Sequence, residues 1–262
     1  MTPQELEEYN KALKQGGVDH STPKAAFKIP DAGACLVRFV QYIELGLQKS
    51  KNPTYNDSRE CALGFEVVSK RHNIVNDGKI IHPIIQASVN ISQSTKGNFI
   101  PLVKALNYAG IEHAVITEFL GGAYKAKITH EKSPDGSKTY ARLKAKGEPW
   151  NFSAPIQEDP EDPSNSVMLN VAPHKSDIIC FCWEPSMVSD EHYLASWDSL
   201  YIEGTYQDGG SRNKWQEKIM ANLNWSTSRL KRLLDARNST GGKEIEVNDG
   251  GLDEAWDESE EI

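Results

Sequence analysis

Long apolar runs are missing from this chain of 262 residues, and none approaches the roughly 18 residues that a membrane-spanning helix needs. The sequence therefore predicts no membrane partner. Cysteine is scarce: there are four, at positions too scattered for a disulfide scaffold. Cys180 and Cys182 are separated by one residue, whereas the cysteines of a zinc knuckle are separated by two to four. We expect no metal site and no cofactor.

Signatures of catalysis are also lacking. Residues 204–210 are rich in glycine but do not end in the Gly-Lys-Ser/Thr of a phosphate-binding loop, so a plain turn explains them better. The seven histidines are dispersed, and no two are spaced to share one face of a helix. Acidic residues are plentiful, but the sequence does not pair them as acid and base. We expect a protein that is not an enzyme.

Charge is unevenly distributed along the chain. Residues 241–262 hold nine acidic residues and one lysine, which accounts for the whole net charge of -8. Residues 1–240 carry 28 basic and 28 acidic residues, so the body is neutral. Residues 238–262 lack apolar periodicity and contain many glycines, which predicts a disordered acidic tail.

The N-terminal part predicts a helical arm over residues 1–25. Thr2 and Pro3 form a helix start, and the helix is expected to reach Leu13. This segment is acidic and amphipathic, so we expect neither a secretory signal nor a transit peptide.

Residues 26–210 predict a β-rich body. Strands are expected at residues 34–45, 61–69, 80–81 and 84–91, a helix at 94–109, and then a hairpin. Strands, a bridging helix and a hairpin follow in the order of an OB-fold, whose second and third strands bind oligonucleotides. The fold prediction is therefore α+β, mainly β: an OB-fold-like barrel with an inserted helix, C-terminal helices and a disordered tail.

The C-terminal part of the body and the segment after it complete this prediction. Further strands are expected at residues 167–171, 178–183 and 197–206. Residues 211–237 predict two helices separated by a break at Trp225. The expected inward-facing residues of these two helices are Trp215, Ile219, Met220, Leu223, Leu230, Leu233 and Leu234.

Residues 121–150 carry the main functional signal. Pro134-Asp135-Gly136 predicts a tight turn between two alternating runs, and so a β-hairpin. Because side chains alternate along a strand, the second strand is expected to present one tyrosine and three cations on one face, namely Tyr140, Arg142, Lys144 and Lys146. Spaced cations and aromatics suit single-stranded nucleic acid. The alternative is a solvated lysine-rich face that protects a sheet edge.

Other predicted DNA contacts come from neighbouring segments. Arg38 and Tyr42 share a face of the first body strand, and residues 46–58 form a polar loop suited to an arm over a DNA groove. Cations are expected to neutralise phosphates, and aromatics to stack on bases. Besides the four hairpin residues above, the predicted contacts are Arg38, Tyr42, Lys49, Lys51, Tyr55, Tyr124, Lys125, Lys127, Trp150 and Phe152.

Taken in order, the chain resembles a family of tailed-phage proteins described as single-stranded-DNA-binding proteins. The resemblance rests on Pro30-x-x-Gly33 before LVRFVQYIELG, then CALGFEVVSK, FLGGAYKAKITHE, DGSKTYARLKA and WDSLYIEGTYQDGGSRNKWQEKI, which together span most of residues 30–235. It implies an OB-like core, location in the host cytoplasm, and a role in phage DNA replication or recombination. It also implies that the acidic tail recruits phage or host replication proteins and competes with DNA. Such tails usually end on an aromatic residue, whereas this one ends on Ile262.

The function predicted from sequence is therefore single-stranded DNA binding without sequence preference. A structural or assembly protein of the virion is the alternative, in which the sheet face meets protein and the acidic tail provides solubility. A nuclease or recombination enzyme with metal-dependent turnover is a third hypothesis.

Overall fold

The computed structural model describes residues 6–8, 11–12, 28–50, 52–76, 78–159, 161–205 and 210–239. Residues 6–8 and 11–12 are helical, in agreement with the predicted N-terminal helix, and the rest of that helix lies outside the described residues. Residues 240–262 of the predicted acidic tail also lie outside them.

The chain forms an α+β structure dominated by antiparallel sheet. The strands are β1 (Gly33–Gln48), β2 (Ser58–Val67), β3 (Ile74–Asn76), β4 (Lys79–Ile81), β5 (Ile84–Asn90), β6 (Ala123–Lys132), β7 (Thr139–Arg142), β8 (Ile156–Gln157), β9 (Val167–Met168) and β10 (Ile179–Phe181). The α-helices are α1 (Phe99–Leu106), α2 (Asp190–Asp198), α3 (Lys214–Met220) and α4 (Arg229–Ser239). None of the described helices is long and apolar enough to cross a bilayer.

The main sheet has the strand order β5-β2-β1-β6-β7, and β10 runs parallel to β1 at Gln41–Ile43. Two short hairpins, β3–β4 and β8–β9, lie outside it. Among the described residues the sheet is open and does not close into the predicted OB-fold-like barrel. The long strand β1 is central because one of its edges pairs with β2, while the other pairs first with β6 and then with β10.

Each face of the sheet packs against a different cluster. The first core contains Phe39 and Phe65 together with residues of α1, and the second core contains Ile43 and Ala62 together with residues of α2, α3 and α4. The β1–β2 register is irregular at Phe39/Gln41 and at Glu44/Gly46. At such an irregularity the side chains of a strand shift from one face of the sheet to the other. β1 thereby contributes side chains to both cores.

The helices differ from the sequence predictions in three ways. The helix expected at residues 94–109 is shorter, because α1 covers only Phe99–Leu106. The strand expected at residues 197–206 is wrong: Trp197 lies on α2, whose N-cap Ser189 accepts the N–H of His192. Leu223 is 47% exposed rather than inward-facing. The burial of Trp215, Ile219, Leu230 and Leu234 is confirmed.

Candidate nucleic-acid interface

The predicted hairpin is confirmed. β6 and β7 pair antiparallel, from Thr129 opposite Arg142 to Lys132 opposite Thr139. The turn between them is closed by the N–H of Ser133, which donates to the carbonyl of Lys138 at 2.9 Å. Gly136 has a φ of 72°, a left-handed conformation that glycine adopts without a steric cost.

Pairing brings the cations of both strands to one side of the hairpin. Residues that face each other in an antiparallel pair share a face, so Thr129 and Arg142 lie on the same side. By alternation along each strand, this side carries Lys125, Lys127, Tyr140 and Arg142, which we call the hairpin face. The sequence predicted cations on each strand, and alternation from the Thr129–Arg142 pair places Lys125, Lys127 and Arg142 on one side of the hairpin.

The second strand is shorter than predicted. β7 ends at Arg142, and residues 143–149 form bends and a turn before the chain returns to the edge of β6. The backbone N–H of Ser153 bonds to the carbonyl of Lys125 at 3.1 Å, which marks that return. Lys144 and Lys146 therefore do not extend the hairpin face as predicted, because β7 ends at Arg142 and the chain bends at Leu143 and Lys144.

Arg142 interacts with its neighbours on the hairpin face. Its guanidinium lies 3.5 Å from the carboxylate of Glu131 and 5.2 Å from the centre of the Tyr140 ring. Both side chains of this pair are partly exposed, so Glu131 competes with a phosphate for the Arg142 guanidinium. Lys127 is exposed, and its backbone N–H bonds to the side-chain oxygen of Asn151 at 3.3 Å.

Arg38 and Lys125 bind protein carbonyls. The Arg38 guanidinium donates to the carbonyls of Val171 at 2.7 Å, Ala172 at 3.0 Å and Gly121 at 2.9 Å. The Lys125 ammonium donates to the carbonyl of Ile156. Both cations hold the segment after Trp150 against the sheet, which gives them a structural role in this conformation.

Three of the predicted stacking residues are in the first core. Tyr42 and Tyr124 are each 2% exposed, and Phe152 is 6% exposed. Burial raises the pKa of both tyrosines, with Glu44 adding to the effect at Tyr42. A base cannot reach these rings, so their predicted stacking role is wrong, and packing in the core replaces it.

Trp150 is the surface end of a column of stacked rings. The ring centres of Phe39 and Phe65 are 5.0 Å apart, those of Phe65 and Phe152 are 4.6 Å apart, and those of Phe152 and Trp150 are 5.7 Å apart. All three pairs have interplanar angles between 18° and 25°. We call these four residues the aromatic column. It begins in the core and ends at a half-buried indole.

The Trp150 indole is fixed by more than stacking. Its Nε1–H donates to the carbonyl of Asn98 at 3.0 Å, and the Lys144 ammonium lies 5.9 Å from the ring centre. The next residue, Asn151, bonds to the backbone of Lys127 through its side chain. The end of the aromatic column therefore borders the hairpin face.

The polar loop lies elsewhere. Lys49 is exposed and Tyr55 is 47% exposed, in the connection from β1 to β2. Lys51 is outside the described residues. This connection leaves the Gln48 end of β1, whereas the hairpin turn lies beyond the Gly33 end, where β6 pairs. The two groups of predicted contacts are at opposite ends of the central strand.

The sequence did not predict that a helix covers one surface of the main sheet. The outer face of β2 and β5 contacts α3, because Lys214 donates to the side chain of Gln86 at 2.9 Å and Lys218 pairs with Glu60 at 3.1 Å. Glu66 on the same face is fully buried. An oligonucleotide cannot lie on this face unless α3 moves, which favours the hairpin side as the interface.

No metal cluster is found in the described part of the chain, where no three His, Cys, Asp or Glu side chains are grouped to hold an ion.

Comparison of the chain with models of protein families, with curated proteins and with solved structures found no match.

Proposed function

We propose that this chain binds single-stranded DNA without sequence preference, through the Trp150 end of the aromatic column and the hairpin face beside it. The observation that carries the proposal is a half-buried tryptophan that is stacked on Phe152, hydrogen-bonded and accompanied by a lysine. Stacking of a base on an aromatic side chain contributes about 1–3 kcal/mol and is tolerant of sequence.

Rigidity makes Trp150 a better platform than a mobile surface ring. Its contacts with Phe152 and Asn98 hold the indole in one orientation before any ligand arrives. Little side-chain entropy is then lost on binding. A base that stacks on the indole takes the place of the Lys144 ammonium at the ring, and that ammonium then meets the adjacent phosphate.

Phosphate contacts come from the cations around this platform. Lys127 and Lys146 are exposed, and Arg142 is partly exposed beside Glu131 and Tyr140. Each phosphate contact releases counterions, so affinity falls as salt rises. This interface uses five of the residues predicted from sequence directly, namely Lys127, Arg142, Lys144, Lys146 and Trp150, with Tyr140 beside them.

We infer an OB-like arrangement for the five main strands. The chain passes through β1, β2 and β5, then α1, then β6 and β7, which is the order of strands and helix in an OB-fold. The proposed site differs from the usual one, because α3 covers the outer face of β2 and β5. Together with the resemblance to tailed-phage proteins, this order supports a role in phage DNA replication or recombination.

The test is a titration of labelled oligo-dT of about 30 nucleotides with the full chain, followed by fluorescence anisotropy. We expect tight binding that weakens at higher salt and that duplex DNA does not displace. Lack of binding to oligo-dT at low salt, with folded protein, would contradict the proposal.

One observation favours a second candidate, a virion structural or assembly protein. Val75 and Ile80 face each other across the β3–β4 hairpin and are 54% and 62% exposed. An exposed apolar cross-strand pair suits a protein partner better than a nucleic acid. Co-sedimentation with phage particles, without retention on single-stranded DNA, would support this candidate over the first.

A further inference from the structure

Cys180 and Cys182 form a pair of partly exposed thiols around strand β10. Both are partly exposed, whereas Cys35 and Cys61 are buried. Phe181, between them, is fully buried in the second core and stacks on Tyr193 with ring centres 5.7 Å apart. Since side chains alternate along a strand, the two thiols lie together on the side away from Phe181, where Cys182 packs against the first core.

The distance between the two cysteines is compatible with a covalent link. Residues two apart in an extended strand have Cα atoms about 6.6 Å apart, which lies near the upper limit of about 6.8 Å for disulfides. The two thiols also interact: the hydrogen bond from Cys182 lowers the pKa of Cys180, although burial opposes this effect. The same hydrogen bond, with burial, raises the pKa of Cys182.

Neighbouring residues hold this segment in place. Cys180 is opposite Tyr42 in the β1–β10 register, and the Tyr42 hydroxyl donates to Glu44 at 2.8 Å. The other carboxylate oxygen of Glu44 accepts the backbone N–H of Trp183 at 3.0 Å. Both ends of the Cys-Phe-Cys segment are thereby fixed to β1, which keeps the thiols next to each other in the folded protein.

We propose that Cys180 and Cys182 form a reversible intrachain disulfide by exchange with a small disulfide such as oxidised glutathione. The Cys180 thiol loses its proton, and its thiolate attacks one sulfur of the glutathione disulfide. A mixed disulfide forms and one glutathione thiolate leaves. The Cys182 thiolate, after losing its own proton, attacks the Cys180 sulfur and releases the second glutathione. Two thiols are oxidised, and one glutathione disulfide is reduced to two thiols.

Strain makes this disulfide easy to reduce. Closing the bond draws the two Cα atoms together and bends the chain at Phe181, whose ring also lies 6.1 Å from that of Trp197. The bend disturbs the second core, so the oxidised protein is less stable than the reduced one. Strained disulfides have the higher reduction potentials that are typical of labile and regulatory bonds.

The experiment treats the folded full chain with excess oxidised glutathione, then alkylates free thiols and digests with trypsin. Cys180 and Cys182 lie on one peptide, residues 176–212, which contains no other cysteine. We expect this peptide to lose two hydrogen atoms and resist alkylation, and to regain two alkyl groups after dithiothreitol. Cys35 and Cys61 serve as internal controls, because they should be alkylated only after unfolding.

The single variants Cys180→Ser and Cys182→Ser provide the matched comparison. Neither variant should lose two hydrogen atoms, and each should retain at most one glutathione adduct. The oxidised wild-type protein should melt a few degrees below the reduced protein. A wild-type peptide that stays fully alkylatable, or that stops at a mixed disulfide, would overturn the proposal. A disulfide that forms only in urea, or that raises the melting temperature, would overturn it as well.

Discussion

Arg38 and Glu66 lie directly opposite each other on β1 and β2, yet each binds the main chain of the same crossing segment. Arg38 donates to the carbonyls of Val171 and Ala172, and Glu66 accepts the N–H groups of Lys175 and Ser176, both at 2.7 Å. Together they fix residues 171–176 against the sheet. This segment joins the hairpin side of the protein to β10 and the second core.

The first prediction concerns Glu66→Gln. The variant loses the charge of a fully buried acceptor and turns an amide N–H₂ toward a backbone donor. We expect the free energy of unfolding at pH 7 to fall by about 1–3 kcal/mol. Urea unfolding of the two proteins measures this difference in the free energy of unfolding. Glu118→Gln is the control, because the exposed Glu118 carboxylate also accepts a backbone N–H, that of Val115, and its loss should change stability less.

The second prediction concerns pH. Burial raises the pKa of Glu66, but the hydrogen bonds from Ser176 and Lys175 outweigh it, so the folded-state pKa lies below its usual value. The unfolded state therefore binds the proton more readily as pH falls. The stabilisation that ionised Glu66 provides is complete above the pKa of Glu66 in the unfolded state. It is lost as pH falls through the pKa of Glu66 in the folded state. The difference between wild type and Glu66→Gln should shrink at acidic pH, and a constant difference would contradict this explanation.

The third prediction tests the hairpin turn. Gly136 has a φ of 72°, and a Cβ at this position would meet no neighbouring atom, so the cost of Gly136→Ala is a backbone cost alone. We expect a loss of about 1 kcal/mol in the free energy of unfolding. Gly97→Ala is the matched control, because Gly97 has no left-handed φ. Equal losses in the free energy of unfolding for both variants would show that the left-handed conformation of Gly136 is not the cause of the loss.

Local sequence was sufficient for the hairpin because Pro134-Asp135-Gly136 determines the turn through its own chemistry. It was not sufficient for the end of β7. The alternation continues through Lys146, so nothing local shows that Ser153 pairs with Lys125 and that Trp150 bonds to Asn98. Those contacts join segments far apart in the chain, and only the tertiary structure reveals them.

Dependence on tertiary contacts also explains why the predictions for several aromatic residues were wrong. Tyr124 and Lys125 are adjacent, so one must face the core and the other must not, and the β1–β6 register decides between them. Residues 197–206 alternate like a strand, yet Ser189 caps a helix that buries Tyr193 and Trp197. The spacing of those two aromatics by four residues, after a capping serine, was the signal that could have identified α2.

The fourth prediction concerns Trp150. Trp150→Ala removes the stacking surface, so affinity for oligo-dT should fall by about 1–3 kcal/mol, or roughly 5- to 150-fold. Trp225→Ala is the control, because Trp225 is also a partly buried indole but packs on the second core. Both proteins are first compared by urea unfolding, so that a loss of folding is not mistaken for a loss of binding. Equal affinities of the two folded variants would exclude Trp150 as the platform.

The fifth prediction concerns phosphate contacts. Lys127→Gln and Lys146→Gln should each reduce the slope of log affinity against log salt by about 0.7, the value for one contact with a single strand. Arg232→Gln removes one charge at an exposed position of α4 and should leave the slope unchanged. Titration of the same oligonucleotide at four salt concentrations gives these slopes. A uniform change in all three variants would indicate only a net-charge effect.

Deleting residues 241–262 tests the predicted competition by the acidic tail. This segment carries the whole net charge of -8, so its removal should strengthen oligo-dT binding at low salt. Unchanged affinity of the shortened chain, under the same conditions, would count against competition.

Ultraviolet cross-linking of the full chain to oligo-dT, followed by tryptic mapping, tests the proposed interface most directly. The tryptic peptides of residues 139–142 and 147–175 contain Tyr140 and Trp150, respectively. We predict cross-links on these two peptides, with fragmentation placing one at Trp150, and their loss when unlabelled oligo-dT is in excess. The proposed interface would be contradicted if cross-links were confined to peptides of α2, α3 or α4. It would also be contradicted if no cross-link formed under conditions where the oligonucleotide is bound.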